Sequence, residues 1–481
     1  MSETCNRRKK CNIEKYKDDV KCILHCDKSD FDAEDIRLFW QKIRQEYVQY
    51  DNRYRSHQII NDIIIEDVIF PKFEVFNRRE NNFFLQDYYF RNNVKFVKCT
   101  FTHDFDLAQT SSLQKIIFED CTFYGNIKLV QSNEIEIIDS KFKNETSFGN
   151  QDWKNIELKS TEFSKNLTVY VSNNLSIDDC LFNEKLSFNG FTTLIAKIQN
   201  GKCRKDLFVS NTLEISIKDI KLKSNVIFQE QNQNINIEGI TFEKDVSFHL
   251  FHNLSISNST FQQKNNFSSN NFNDIVIDNT TLNDIKLNSG NSLKVINDST
   301  INGSVQLESG LQDFTLQNST IANELNIEGS TNVVIEEATL HADSCFNREY
   351  NDISIKESTF TNLKIGTTHT LDVYDVKVNG DLDLTGDKYQ LIKIDICDIA
   401  DTLQISEVPK LELSNIKSES ILKLIYDEYE DINIKSSIFS DIEINSAKLL
   451  NIYNTAINGK LSLSGETNGN ITFDSVVLKD V

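Results

Sequence analysis

The sequence is almost without proline, 2 in 481 residues, and holds only 1 methionine, 2 tryptophans and 15 glycines. So little proline and glycine excludes a polyproline stalk or a flexible glycine-rich tether. No run of about 18 apolar residues occurs, so no segment reads as a membrane-spanning helix. The N-terminus, MSETCNRRKKCNIEKYKDD, carries no apolar stretch of the secretory kind, and no secretion signal is read there. Positive charge is also short. The chain has 51 Lys and Arg against 72 Asp and Glu, a net of −21. That balance disfavours nucleic acid as a direct ligand and disfavours anionic membrane surfaces. Histidines number 7, and only His249 and His252 lie close together. There is no nucleotide loop, nucleophile elbow or HExxH motif. Acid pairs such as Asp178-Asp179 or Asp381 and Asp383 match the general frequency of acids at outward positions. A non-catalytic protein is expected.

Phenylalanine, in contrast, is abundant at 32. It recurs with a period. With the Phe of each TF-like pair as column zero, the column runs Phe101, Phe123, Phe142, Phe163, Phe182, and on through Leu282, Ile301, Phe360 and Ile457 to Leu478, at a mean step of about 20 residues. Two positions earlier the residue is small or slim, as at Cys121, Ser140, Thr161 and Cys180. Five positions earlier it is apolar, as at Phe118, Ile137, Leu158 and Ile177. Further apolar pairs follow, such as Leu186 and Phe188. A fixed period near 20 without a helical pattern means a solenoid in which short strands stack coil on coil. Each coil places like residues over like, and the stacked columns bury a core that no single coil could bury. The corners need residues that tolerate positive φ. Asn302-Gly303, Asn379-Gly380 and Asn458-Gly459 are read as those corners.

The spacing of Ile177, Cys180 and Phe182, and of Ile256, Ser259 and Phe261, resembles the pentapeptide-repeat family, in which a small residue precedes a central Leu or Phe by two. The resemblance covers about residues 60–481. It implies an all-β fold, a right-handed parallel β-helix, with a squarish but irregular section; a three-sided β-helix is the alternative. The phrases NGDLDLTG and NGKLSLSG also resemble bactofilins, whose β-helices polymerise end to end. In the C-terminal half a larger repeat starts at Asp274, Asp352 and Asp431, four coils apart. The solenoid is placed at residues 59–481.

Residues 1–58 do not follow the repeat. DAEDIRLFWQKIRQEYVQY reads as a helix within a capping segment at 31–58, with Asp32 as cap and Ile36, Phe39, Trp40, Ile43 and Tyr47 as one apolar stripe. It is expected to cover the first coils near Phe70 and Phe73. Residues 77–95 are read as an insertion or irregular coil, with aromatics that could also dock a partner. Residues 1–30 are Cys/His-rich. Cys5, Cys11, Cys22 and His25, with Cys26 as the alternative fourth ligand, suit a tetrahedral structural zinc. The other reading is reduced cysteines in a mobile tail. The CILHC stretch resembles the segment ahead of the solenoid in some pentapeptide-repeat proteins. The remaining cysteines read as small core residues of a reducing compartment, without disulfides.

The expected function is a cytoplasmic β-solenoid scaffold that binds a protein partner. One alternative is an acidic DNA mimic against a DNA-processing enzyme such as a topoisomerase. Residues 281–481 carry 15 Lys and Arg against 32 Asp and Glu. Pentapeptide-repeat proteins that bind gyrase work in that manner. The plainer account of the charge is solubility. A second alternative is an end-to-end polymer, because the last coil is expected to expose apolar columns and to pair with another subunit, unless the chain continues beyond Val481 or the blunt end is protected by its charges.

Overall fold

The computed structural model describes residues 13–17, 19, 21–47, 62–71, 93–106, 115–128, 134–148, 155–170 and 173–479, the last with short gaps at 309, 348, 367, 387–388, 419–420, 427–428 and 466–468. Contacts divide the chain into two compact units, residues 1–243 and 244–481. Each is a parallel β-solenoid.

The first unit opens with one helix, α1 (Ala33–Tyr47). The Asp35 amide donates to Asp32 Oδ1 at 2.9 Å, so Asp32 is its N-cap, and Glu34 and Asp35 complement the helix dipole. Its buried stripe is Ile36, Phe39 and Ile43. Phe39 meets the ring of Phe70 edge-on at 5.7 Å, and Ile69 N donates to Leu24 O at 3.0 Å. The N-terminal segment thus closes over the first coil, as expected at Phe70. Phe73, residues 48–61 and residues 77–92 lie outside the described residues.

Beyond α1, coils repeat a long strand, a two-residue strand and a third, short strand. Asn155–Lys159 pairs in parallel with Asn174–Asp178, and Phe163 lies in register with Phe182. Alternation within each strand sends every second side chain inward. Phe70, Phe101, Phe123, Phe142, Phe163 and Phe182 form one continuous pile of rings, with successive centroids 4.5–5.3 Å apart and planes within 11° of parallel. All six are buried. In the later coils of this unit the third strand runs on into the next long strand, as Leu186–Gln199 and Leu207–Lys218.

The second unit keeps the three strands distinct. One coil comprises Leu311–Gln317, Thr320–Ile321 and Leu325–Ile327. Phe314 and Leu316, Ser319 and Ile321, and Leu325 and Ile327 point inward as three pairs, while a fourth inward position holds the single side chain of Leu311. In later coils that fourth position is filled by Tyr350, Tyr389 and Tyr429. Their hydroxyls donate to the carbonyls of Ile327, Ile365 and Ile405, one coil back, at 2.5–2.7 Å. The section is therefore three paired faces and one single-residue corner.

The corners correct one expectation. Gly303, Gly380 and Gly459 do not have positive φ. The left-handed position is instead the residue three before column zero: Asp120, Asp139, Ser160 and Asp179 in the first unit, and Asn258, Asn279, Asn318, Asn415 and Asn454 in the second, with φ of 43–53°. Asp and Asn tolerate that conformation because their short polar side chains bond locally. The Asn-Gly glycines serve close approach. A Cβ on Gly303 would collide with Asp284 Oδ1, and one on Gly459 with Asp441 Oδ1. Those oxygens accept from the next backbone amides, Ser304 N at 2.9 Å and Lys460 N at 2.6 Å.

The slim column beside the left-handed residue does more than save space. Ser140, Thr161, Ser259, Thr280 and Ser319 donate their hydroxyls to the carbonyl two residues back at 2.8 Å. Several also accept from the amide of the coil below, as Ser140 does from Cys121 N at 3.0 Å. The hydroxyl satisfies backbone groups that the sharp corner strips of ladder partners.

Candidate functional site

Two regions carry the polar groups that sequence reading singled out. In the N-terminal segment, a single helical turn is closed by His25 N and Cys26 N, both donating to Cys22 O at 3.0 Å. This turn brings Cys22 Sγ within 3.0 Å of His25 Nδ1, with both residues buried. Cys26, also buried, faces elsewhere: Lys28 Nζ lies 3.4 Å from its Sγ and donates to its carbonyl at 2.6 Å. His25, rather than Cys26, is the residue brought to Cys22. Cys5 and Cys11 lie outside the described residues, and no group of three or more metal-type ligands occurs among the described ones.

Lys28 escaped the sequence reading. It is 2% exposed and lies over the rings of Phe31 and Phe39, at 4.9 and 5.5 Å from their centroids. Burial pulls its ammonium down to about 8, and burial pushes the Cys26 thiol up. No local sequence signal marks Lys28, because its burial arises only once α1 docks.

On the solenoid, outward side chains bond from coil to coil. Asn174 Nδ2 donates to Asn155 Oδ1 at 2.8 Å, Asn279 Nδ2 to Asn258 Oδ1 at 2.8 Å, and Asn362 Nδ2 to Asp343 Oδ1 at 2.8 Å. Ion pairs also run between neighbouring coils: Lys115 with Glu136 at 2.7 Å, Lys218 with Glu238 at 2.6 Å, and Lys364 with Asp383 at 3.3 Å. Each such exposed pair adds at most about 1 kcal/mol, so the ladders order the surface more than they stabilise it.

A groove of about 420 Å³ follows one corner of the second unit. Along it Lys377, Asp398 and Lys417 stack in register, alternating in sign. It also contains Ile396, 41% exposed and left-handed at φ 56°. A β-branched residue is strained in that conformation. The same position is Asp or Asn in most coils, so counting three back from column zero would have found it.

His249 is half-buried, with Nδ1 hydrogen-bonded to Ser268 Oγ, and His252 is exposed. The eight described cysteines are free. Cys99, Cys121, Cys180 and Cys397 stand in the slim column and direct their thiols to the carbonyl two residues back. Among the described residues no helix is long and apolar enough to cross a membrane.

Compared with known proteins, residues 86–262 match the family described as Protein of unknown function (DUF3737). The chain is similar to that family over this stretch, a little over a third of its length. No curated protein and no solved structure matches the chain.

Proposed function

We propose that the chain is a non-catalytic scaffold of the pentapeptide-repeat kind, acting in the cytoplasm and binding a protein partner along its coils. The observation that carries this reading is the set of outward ladders, in which Asn174 holds Asn155 and Asn279 holds Asn258. Side chains held by their neighbours lose less freedom on binding, which suits a flat polar contact surface. The acids of residues 281–481 are interleaved with lysines, as at Lys377, Asp398 and Lys417. That pattern favours solubility over one continuous DNA-like face. The test places a photo-crosslinking amino acid at outward positions of three different columns, Thr315, Thr320 and Asn326, in cells. One discrete adduct confined to a single column supports the scaffold. Diffuse labelling at every column, with no discrete adduct, contradicts it.

A second reading concerns self-association. In the coil of Leu461–Leu463, Asn470–Asp474 and Val477–Leu478, the inward columns are open, with Phe473 48% and Leu478 43% exposed. These strands seat in register on the coil beneath. A second copy meeting this face with antiparallel strands would set Asn470 against Asp474 and Ile471 against Phe473. Light scattering that rises with concentration, and is abolished by Phe473→Asp, is the expected result.

The buried Cys22 and His25 pair suits two ligands of a structural zinc, and the residues present fit that role with the remaining ligands drawn from Cys5 and Cys11. Zinc there would stabilise the N-terminal fold without an open catalytic position.

A further inference from the structure

Some lysines on this surface pair with an acid on the neighbouring coil, as Lys115 does with Glu136, Lys218 with Glu238 and Lys393 with Glu412. One place in the first unit instead sets cation over cation. Lys202 lies in register with Lys221 on adjacent two-residue strands, with the buried Cys203 and Leu222 beside them pointing inward. One step further, Arg204 and Lys223 occupy the next outward position of the same two coils, where Lys223 N donates to Cys203 O at 3.1 Å. Alternation therefore sends all four cations outward. Arg204, Lys221 and Lys223 are exposed and Lys202 is half-exposed. Among the described residues, none of the four makes an ion pair. The nearby Asp206 carboxylate is occupied otherwise, accepting from Ser224 Oγ at 2.5 Å and from Asn225 N at 3.2 Å.

Like charges directly opposed on neighbouring strands destabilise a sheet. The fold thus gains nothing from this arrangement, in a chain whose net charge is −21 and whose acids outnumber its bases. The grid has set dimensions: about 4.8 Å between coils and about 6.6 Å between alternate residues of one strand. An extended peptide with carboxylates on alternate residues carries its charges at that same 6.6 Å spacing. A long polyphosphodiester or a broad anionic membrane would also meet the acids of the flanking coils, Glu162 in the column of Lys202 and Glu243 next to Lys223, which repel it.

We propose that Lys202, Arg204, Lys221 and Lys223 form a docking site for an extended acidic segment of a partner protein, with Asp or Glu at alternate positions. This rests on the scaffold reading and names the chemistry of its partner. The grid trades stability for recognition, as binding sites often do.

The test uses the full chain and a fluorescein-labelled peptide of alternating Glu and Ser, followed by fluorescence anisotropy. A peptide of the same composition with its Glu residues in one block, a single-stranded oligonucleotide and anionic phosphatidylserine vesicles are the comparisons. The alternating peptide is expected to bind best, and to weaken as salt rises. The Lys202→Glu/Arg204→Glu variant is expected to lose at least tenfold in affinity and to melt at a higher temperature, because Lys221 and Lys223 then face opposite charges and the coil beneath offers only Leu181 and Asn183. A lower melting temperature would make the cluster structural and overturn the proposal. So would unchanged peptide affinity in the variant, or tighter binding of the oligonucleotide or the vesicles. Failure here, with a discrete crosslinked adduct retained at another column, removes this site and leaves the scaffold reading in place.

Discussion

Phe123 lies face to face on Phe142, with ring centroids 4.5 Å apart and planes 11° apart. The contact joins residues of adjacent coils, so each ring is a tie between turns as well as core. Truncating Phe142 to Ala would open a cavity between Phe123 and Phe163, its two stacking neighbours. The expected loss is about 3–5 kcal/mol, read by chemical denaturation. Phe142→Leu should cost less, since much of the volume is retained.

Ile396 offers the opposite sign. Its left-handed backbone suits Asn better than a β-branched side chain, and 41% of it is exposed. Ile396→Asn is expected to raise stability by about 1 kcal/mol. The reciprocal change, Asn415→Ile at the equivalent position of the next coil, is expected to lower it by a similar amount. Thermal melts of the two variants check both directions.

The buried hydroxyl of Tyr429 satisfies Ile405 O at 2.7 Å. Tyr429→Phe keeps the ring and removes one of that carbonyl's two hydrogen bonds, the other coming from Ile425 N at 3.1 Å, for an expected loss of about 0.5–1.5 kcal/mol. Hydrogen exchange should show faster opening in the coils on either side of Ile405.

Acid should loosen α1 through Asp35. Burial opposes its charge, but hydrogen bonds from Lys17 and Tyr16 outweigh burial and hold its carboxyl below the ordinary 3.8. A lowered folded-state value means that the stabilisation is present above pH 3.8 and is lost as pH falls through the folded value. Trp40 fluorescence in a Trp153→Phe background should report the change. In the Asp35→Asn variant this acid-dependent step should be absent.

Much of this architecture was written in the period of the sequence. Phe101, Phe123 and Phe142 recur because parallel coils demand like over like, and burial made that column visible without any structure. The corner chemistry was misread. Asn302-Gly303 looks like a local turn, yet its glycine answers to Asp284, nineteen residues earlier, whose side chain occupies the space of a Cβ. Contacts between coils are invisible to a local pattern unless the sequence is first folded onto its own period. The same alignment exposes Lys202 over Lys221 and Ile396 among Asp and Asn residues. Lys28 could not be found that way, because its burial depends on how α1 seats against Phe70. The zinc assignment was legible as residue types, and among the described residues the structure brings Cys22 and His25 together.

Buried thiols should be inert. Burial pushes Cys180, Cys203 and Cys397 up to about 12, whereas Cys345 is half-exposed with Lys364 in register beside it. With iodoacetamide at pH 8 and site-resolved mass spectrometry, Cys345 should label well before the other three.

The coil stack itself is tested most directly by distances between spin labels in the second unit. Thr260, Thr281, Thr300, Thr320, Thr339 and Thr359 occupy the same outward column of successive coils. Labels on cysteines replacing Thr260 and Thr359 should lie about 24 Å apart, and on those replacing Thr260 and Lys417 about 38 Å, at roughly 4.8 Å per coil. Two distances that do not grow with the number of intervening coils would contradict the stack.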